Sequence, residues 1–154
     1  MILRRMSAHS HYTGGILMDR LLKRAVLVFL AALALVACTS APLKPAAPIA
    51  VPAGVSQAQV KTGIINALEG RGWTLDNLAD GDILSTLHLR EHTATIRITY
   101  DAAAVNLTYL RSTNLNYREK GDQRSIHRNY NGWIDYLEQD IRRNLQNTHA
   151  LEKQ

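Results

Sequence analysis

The stretch DILSTLHLREHTATIRITYDAAAVNLTYLR, residues 82–111, decides the fold, because its side chains change character every second position. Ala94, Ile96, Ile98 and Tyr100 alternate with Thr93, Thr95, Arg97 and Thr99, and Val105, Leu107 and Tyr109 continue the same period. A period of two puts one set of residues on each face of a strand, so this pattern predicts strands over 82–90, 93–100 and 104–111. The connections near Glu91-His92 and Asp101-Ala102 are too short for parallel crossovers and predict an antiparallel meander.

A sheet with one apolar face needs a cover, and helical periodicity on either side supplies it. Ser56 and Gln59 have capping-box spacing, and Val60, Ile64, Ala67 and Leu68 repeat at helical intervals before Gly70 and Gly72, predicting a helix over 57–69. Gly63 is a weak point inside it. In YNGWIDYLEQDIRRNL, Tyr130, Trp133, Ile134, Leu137, Ile141 and Leu145 form one stripe, predicting a helix over 130–147, with 112–128 read as a polar loop. The expected fold is therefore an α+β, two-layer α-β-β-β-α sandwich, with a three-stranded antiparallel sheet covered on one face by two helices.

Upstream, the single cysteine, Cys38, stands between an apolar run over 25–36 and a stretch, 40–54, that holds all four prolines. Met18-Asp19-Arg20 with Lys23 and Arg24 opens a basic region, and a dozen apolar residues follow, too few for the roughly 20 that span a bilayer. Leu35-Val36-Ala37-Cys38 resembles the lipobox of bacterial lipoproteins. That resemblance implies cleavage before Cys38 and a covalent lipid on its thiol, with no other cofactor expected. Residues 1–37 are thus expected to be a signal region, with 1–17 a mis-assigned start. Residues 38–55 form a Pro/Ala-rich tether, 56–147 the globular domain and 148–154 a tail. Thr39, in place of aspartate, implies the outer membrane, facing the periplasm.

Charge excludes one class of partner. The whole chain is +5, but the first 37 residues carry five of its 18 basic and one of its 13 acidic residues, which leaves a net +1. Nucleic-acid binding is not expected from that balance. With Cys38 committed to lipid, no intrachain disulfide is available.

The pattern Gly72-Trp73, SxNLxY over 112–117 and IHxxYNxW over 126–133 is similar to a group of small lipoproteins of Gram-negative bacteria. The resemblance implies an envelope location and a compact α+β domain, and brings no activity or catalytic residue. The element order also resembles, more distantly, helix-grip modules in accessory lipoproteins of outer-membrane assembly.

Chemistry is sparse. His88 and His92 are four apart but straddle a strand end, and although His127 could join them through the fold, they are not read as metal ligands. Ser85, Ser112, Thr113 and Ser125 accompany His127 in no nucleophile motif, and Asp76, Asp80, Asp82 and Asp101 fall at turns, so no catalytic residue is assigned. The distinctive feature is a polar cluster of Arg111, Asn114, Tyr117, His127, Arg128, Asn129 and Tyr130, read as a candidate interaction site. The expected function is a non-enzymatic, lipid-anchored module that docks an envelope protein. The alternative is a binding module for an anionic small molecule, glycan or lipid head group.

Overall fold

The computed structural model describes residues 40–151, together with Arg20, Leu22, Lys23, Arg24 and Val26. It divides into two units, 1–39 and 40–154. In the first, the five described residues are helical. Cys38, and with it the expected lipidation, lies outside the described residues. The second unit contains all 23 buried apolar residues of the core among the described residues, so it folds on its own.

Eight strands and two helices make up that unit: β1 (Ser40–Pro42), β2 (Ile49–Ala50), α1 (Gln57–Gly70), β3 (Trp73–Ala79), β4 (Asp82–Leu89), β5 (His92–Tyr100), β6 (Ala104–Thr113), β7 (Arg118–Lys120), β8 (Gln123–His127) and α2 (Arg128–Leu151). They form two antiparallel sheets, of five strands in the order β2-β6-β5-β4-β3 and of three in the order β1-β8-β7. The expected single three-stranded sheet under two helices is therefore wrong, although the meander at its centre is present. It gains an edge strand on each side, and the polar loop is a hairpin that builds the second sheet.

The physical reason for each addition is local. β3 carries a bulge between Leu75 and Asn77, which breaks the period of two that announces a strand. β1 and β2 are two or three residues long, lie at sheet edges and spend their hydrogen bonds on β8 and β6. Residues 40–50 thus belong to the domain, where a free tether was expected. Leu43 and Ile49 are buried in the core, and Leu43 N donates to Arg124 O at 2.8 Å. Asn131 secures the same segment from α2: its Nδ2 donates to Pro42 O at 2.9 Å and its Oδ1 accepts from Lys44 N at 3.3 Å.

α1 lies against the face that carries Trp73, Ile83, Ile96, Ile98 and Val105, and α2 packs on α1, β1 and β8 and sets Tyr130 against Tyr109 of β6. The capping box at Ser56 and Gln59 is present, with Ser56 N donating to Gln59 Oε1 at 2.8 Å. Gly63 lets the helices approach. A Cβ there would sit 3.3 Å from Leu145 Cδ2, and Asn144 Nδ2 donates to the Gly63 carbonyl at 2.9 Å. The cost of glycine inside a helix is thereby matched to a packing role. α2 runs to Leu151, so most of the expected tail continues the helix.

The opposite face of the large sheet carries Thr86, Thr95, Arg97 and Thr108. Thr86 and Thr95 are nevertheless buried, their hydroxyls 2.8 Å apart, and Thr86 Oγ1 donates to Asp76 Oδ2 at 2.5 Å. Among the described residues no helix is long and apolar enough to cross a membrane.

Candidate binding cleft

Two features of local backbone bring the candidate site together. The turn between β4 and β5 has only two residues, since Leu89 pairs with His92, and its first, Arg90, has φ +55°. Beyond the end of β6, Asn114 and Asn116 have φ +58° and +50°. Asparagine tolerates that left-handed region because its short amide bonds locally, whereas arginine has no such compensation.

The two bends are tied to each other. Asn114 Nδ2 donates to Glu91 O at 2.7 Å, and His92 Nδ1 donates to Asn114 O at 2.9 Å. A carbonyl can only accept, so His92 carries its proton on Nδ1 and, when neutral, has a lone pair on Nε2. Next to it, His127 N donates to Leu115 O at 2.7 Å, and His127 Nδ1 accepts from Asn129 N at 3.3 Å. The neutral His127 tautomer is therefore Nε2–H. The two rings stack with centroids 6.4 Å apart, so an acceptor and a donor stand side by side. Around them is a cleft of about 300 Å³, lined also by Leu89, Arg90, Asn129 and Trp133. A second hollow, of about 510 Å³, shares Asn129 and Trp133 and adds Arg128, Lys44 and Tyr136.

The seven residues expected to form one contact site separate into four groups. His127 and Asn129 line the cleft, and Asn114 stands behind it, bonded to Glu91 O and His92 Nδ1. Arg128 is exposed in the neighbouring hollow. Tyr117 and Tyr130 belong to an aromatic stack on Tyr109, with centroids 4.7 Å and 5.4 Å from it. Tyr117 Oη donates to Glu119 Oε2 at 2.9 Å, and burial, then the neighbouring Tyr109, pushes the Tyr130 hydroxyl well above its ordinary pKa. These two rings fasten the β7–β8 hairpin to the start of α2. Arg111 is elsewhere: a bulge at Leu110 sets it opposite Thr95, on the sheet face turned from the helices.

Sequence reasoning missed Arg90, Leu89 and Trp133 as cleft residues, and weighed His92 with His88, and with His127 through the fold, only as metal ligands. By register His88 faces Thr93 on the outer side of the sheet, while His92 pairs with Leu89 on the other. Among the described residues no group of three or more His, Cys, Asp or Glu could hold a metal ion. Of the serines weighed as nucleophiles, Ser85 is buried and donates to Thr74 O at 2.8 Å, and Ser112 shares a hydrogen bond with Tyr109 Oη at 2.9 Å. The cleft can recognise a polar or anionic group through a guanidinium, an imidazole donor, an imidazole acceptor and an indole.

No family model, curated protein or solved structure matches the chain.

Proposed function

We propose that the protein is a lipid-anchored envelope module that works by binding, docking a partner protein through the cleft between the β4–β5 turn and the start of α2. The observation that carries this reading is the convergence of Arg90 and Asn114, both at positive φ, on the paired imidazoles. A bulky residue held in a sparsely populated backbone region costs of order 1–3 kcal/mol, and such residues collect where a site needs them. A two-residue turn alone would favour glycine or asparagine at position 90. The order of basic region, apolar run and Ala37-Cys38 supports the anchor.

The test is a photo-crosslinking amino acid at Leu89, on the cleft rim and 44% exposed, in living cells, with Cys38→Ser as the mislocalised control. A specific protein adduct, absent from H92A/H127A and from Cys38→Ser, is the expected result. The small size of the cleft and the presence of Arg90 favour a second reading, an anionic small molecule, glycan or head group. It predicts no protein adduct, together with thermal stabilisation of residues 40–154 by that ligand.

A further inference from the structure

Five cations in the described domain have carboxylate partners: Lys44, Lys61, Arg71, Arg97 and Arg143. Others, among them Arg90, Arg111, Arg128 and Arg142, have none among the described residues, and the β7–β8 hairpin gathers three of that kind within seven residues. Arg118, Lys120 and Arg124 are all exposed and none makes an ion pair among the described residues. Register puts Arg118 beside Ser125 and Pro42, and Lys120 beside Gln123, on the face of the small sheet turned away from buried Leu43 and Ile126. That face borders a hollow of about 870 Å³, lined also by Asp122 and by Arg124, which lies on the other face of the sheet opposite Glu119.

The position of this face along the chain gives the charge a meaning. β1 begins at Ser40 and is hydrogen-bonded to β8, in the same sheet as the cations. Two peptide units separate Ser40 from Cys38, so their Cα atoms can be no more than about 7 Å apart. That is within the Debye length of about 8 Å at physiological ionic strength. A lipid on Cys38 would thus bring the β1 edge of the small sheet to the bilayer surface, with β7 two strand spacings, about 10 Å, further across the sheet.

Resting on the anchor proposed above, we infer that the outer face of the β1-β8-β7 sheet, from Pro42 and Ser125 to the β7–β8 turn, is a membrane-apposed surface, with Arg118 and Lys120 meeting anionic phospholipid head groups, while His127 at the other end of β8 stays with the cleft. The anchor and this face then act together, one by insertion and the other by charge, and they fix the orientation of the domain on the bilayer. Each basic residue at an anionic surface strengthens partition by about fivefold.

The test uses residues 38–154 with Cys38→Ser, so that no acyl chain contributes. Sedimentation is measured with vesicles of phosphatidylcholine alone and of phosphatidylcholine with 30% phosphatidylglycerol. Binding at 50 mM salt to the anionic vesicles only, lost at 500 mM, is expected. R118Q/K120Q should weaken it by about 25-fold, while R111Q/R142Q, with the same change in net charge, should leave it within a factor of about three. Equal partition into both vesicle types would overturn the inference, as would equal loss in the two double variants. Melting curves confirm that each variant is folded. The anchor is read separately, from the mass of the protein extracted from cells. An unmodified Cys38 would remove the anchor without changing the vesicle result.

Discussion

Replacing Asn131 with alanine should release the segment before α1 from the body of the domain. The side chain is 8% exposed and makes two bonds to backbone 89 and 87 residues earlier, to Pro42 O at 2.9 Å and from Lys44 N at 3.3 Å. Pro42 and Lys44 are exposed, so water can replace the lost partner, and each bond is worth about 1 kcal/mol at this kind of site. The local loss is then about 2 kcal/mol, close to 30-fold in an opening equilibrium. Alanine returns about 0.6 kcal/mol through its better helix propensity. The global loss is therefore about 1.4 kcal/mol, or roughly 6 °C in melting temperature for a domain of this size. Hydrogen exchange reads the local effect. The amides of Leu43, bonded to Arg124 O, and of Lys44 should exchange about 30-fold faster, while those of β5, at the centre of the large sheet, change only with the global stability. Asp135→Asn is the control, because the Lys44–Asp135 pair is 3.8 Å long with both side chains more than half exposed and should shift nothing. If N131A leaves both amides and the melting temperature unchanged, Asn131 does not hold residues 42–44 and the reasoning fails.

Arg90→Gly should raise stability by about 0.5–1 kcal/mol in urea titrations, because glycine adopts φ +55° without steric cost, while it weakens whatever binds the cleft. A loss of stability would mean that the arginine side chain holds the turn. Tyr100→Phe should leave stability unchanged or raise it by up to about 1 kcal/mol, because Tyr100 Oη is buried without a hydrogen-bond partner among the described residues. A loss greater than that in thermal melts would show an interaction of the hydroxyl. Asp140 lies 7% exposed between Arg71 and Arg143. The hydrogen bond from Arg71 holds its carboxyl below the ordinary value of 3.8, with Arg143 adding to the effect. A folded-state value below the unfolded one gives stability that is complete above the unfolded value and is lost as pH falls through the folded one. D140N should therefore be less stable than wild type at pH 5–8, and the gap should narrow progressively as pH falls below about 4. A constant gap down to pH 2.5 would refute the linkage.

The parts of the fold that were legible in the sequence are those where burial writes a period. β5 buries every second residue through Ala94, Ile96, Ile98 and Tyr100, and α2 buries Ile134, Leu137, Ile141 and Leu145 on one stripe. The hairpin of β7 and β8 buries only Ile126 outright, so REKGDQRS carries no apolar alternation and reads as loop. β1 and β2 are short pieces of a stretch rich in alanine and proline, whose composition is that of a tether; their partners, β8 and β6, are fixed by tertiary packing. At the site, Asn114 is a residue type that accepts positive φ, and its place near His127 could be read along the chain. Its bond to Glu91 O, and with it the pairing of His92 and His127, arises from contacts 23 and 35 residues apart. Arg111 shows the opposite failure. Continuing the alternation from Tyr109 would put it on the helix-covered side, and one extra residue at Leu110 reverses that.

The pairing of β1 with β8 has a kinetic meaning. The first strand of the domain to be synthesised can close only on the penultimate element, and its anchor, Asn131, comes 89 residues after Pro42. Contacts of such high sequence separation form late, because the intervening chain must first be ordered. In a chain exported as proposed above, residues 40–45 would therefore remain unpaired until nearly the whole chain had emerged. If Cys38 carries the proposed lipid, the enzyme that attaches it would meet a chain whose residues 40–45 are still unpaired throughout that interval. Once β8 arrives, the same backbone is withdrawn into a sheet, so the order of events would be modification first and closure afterwards.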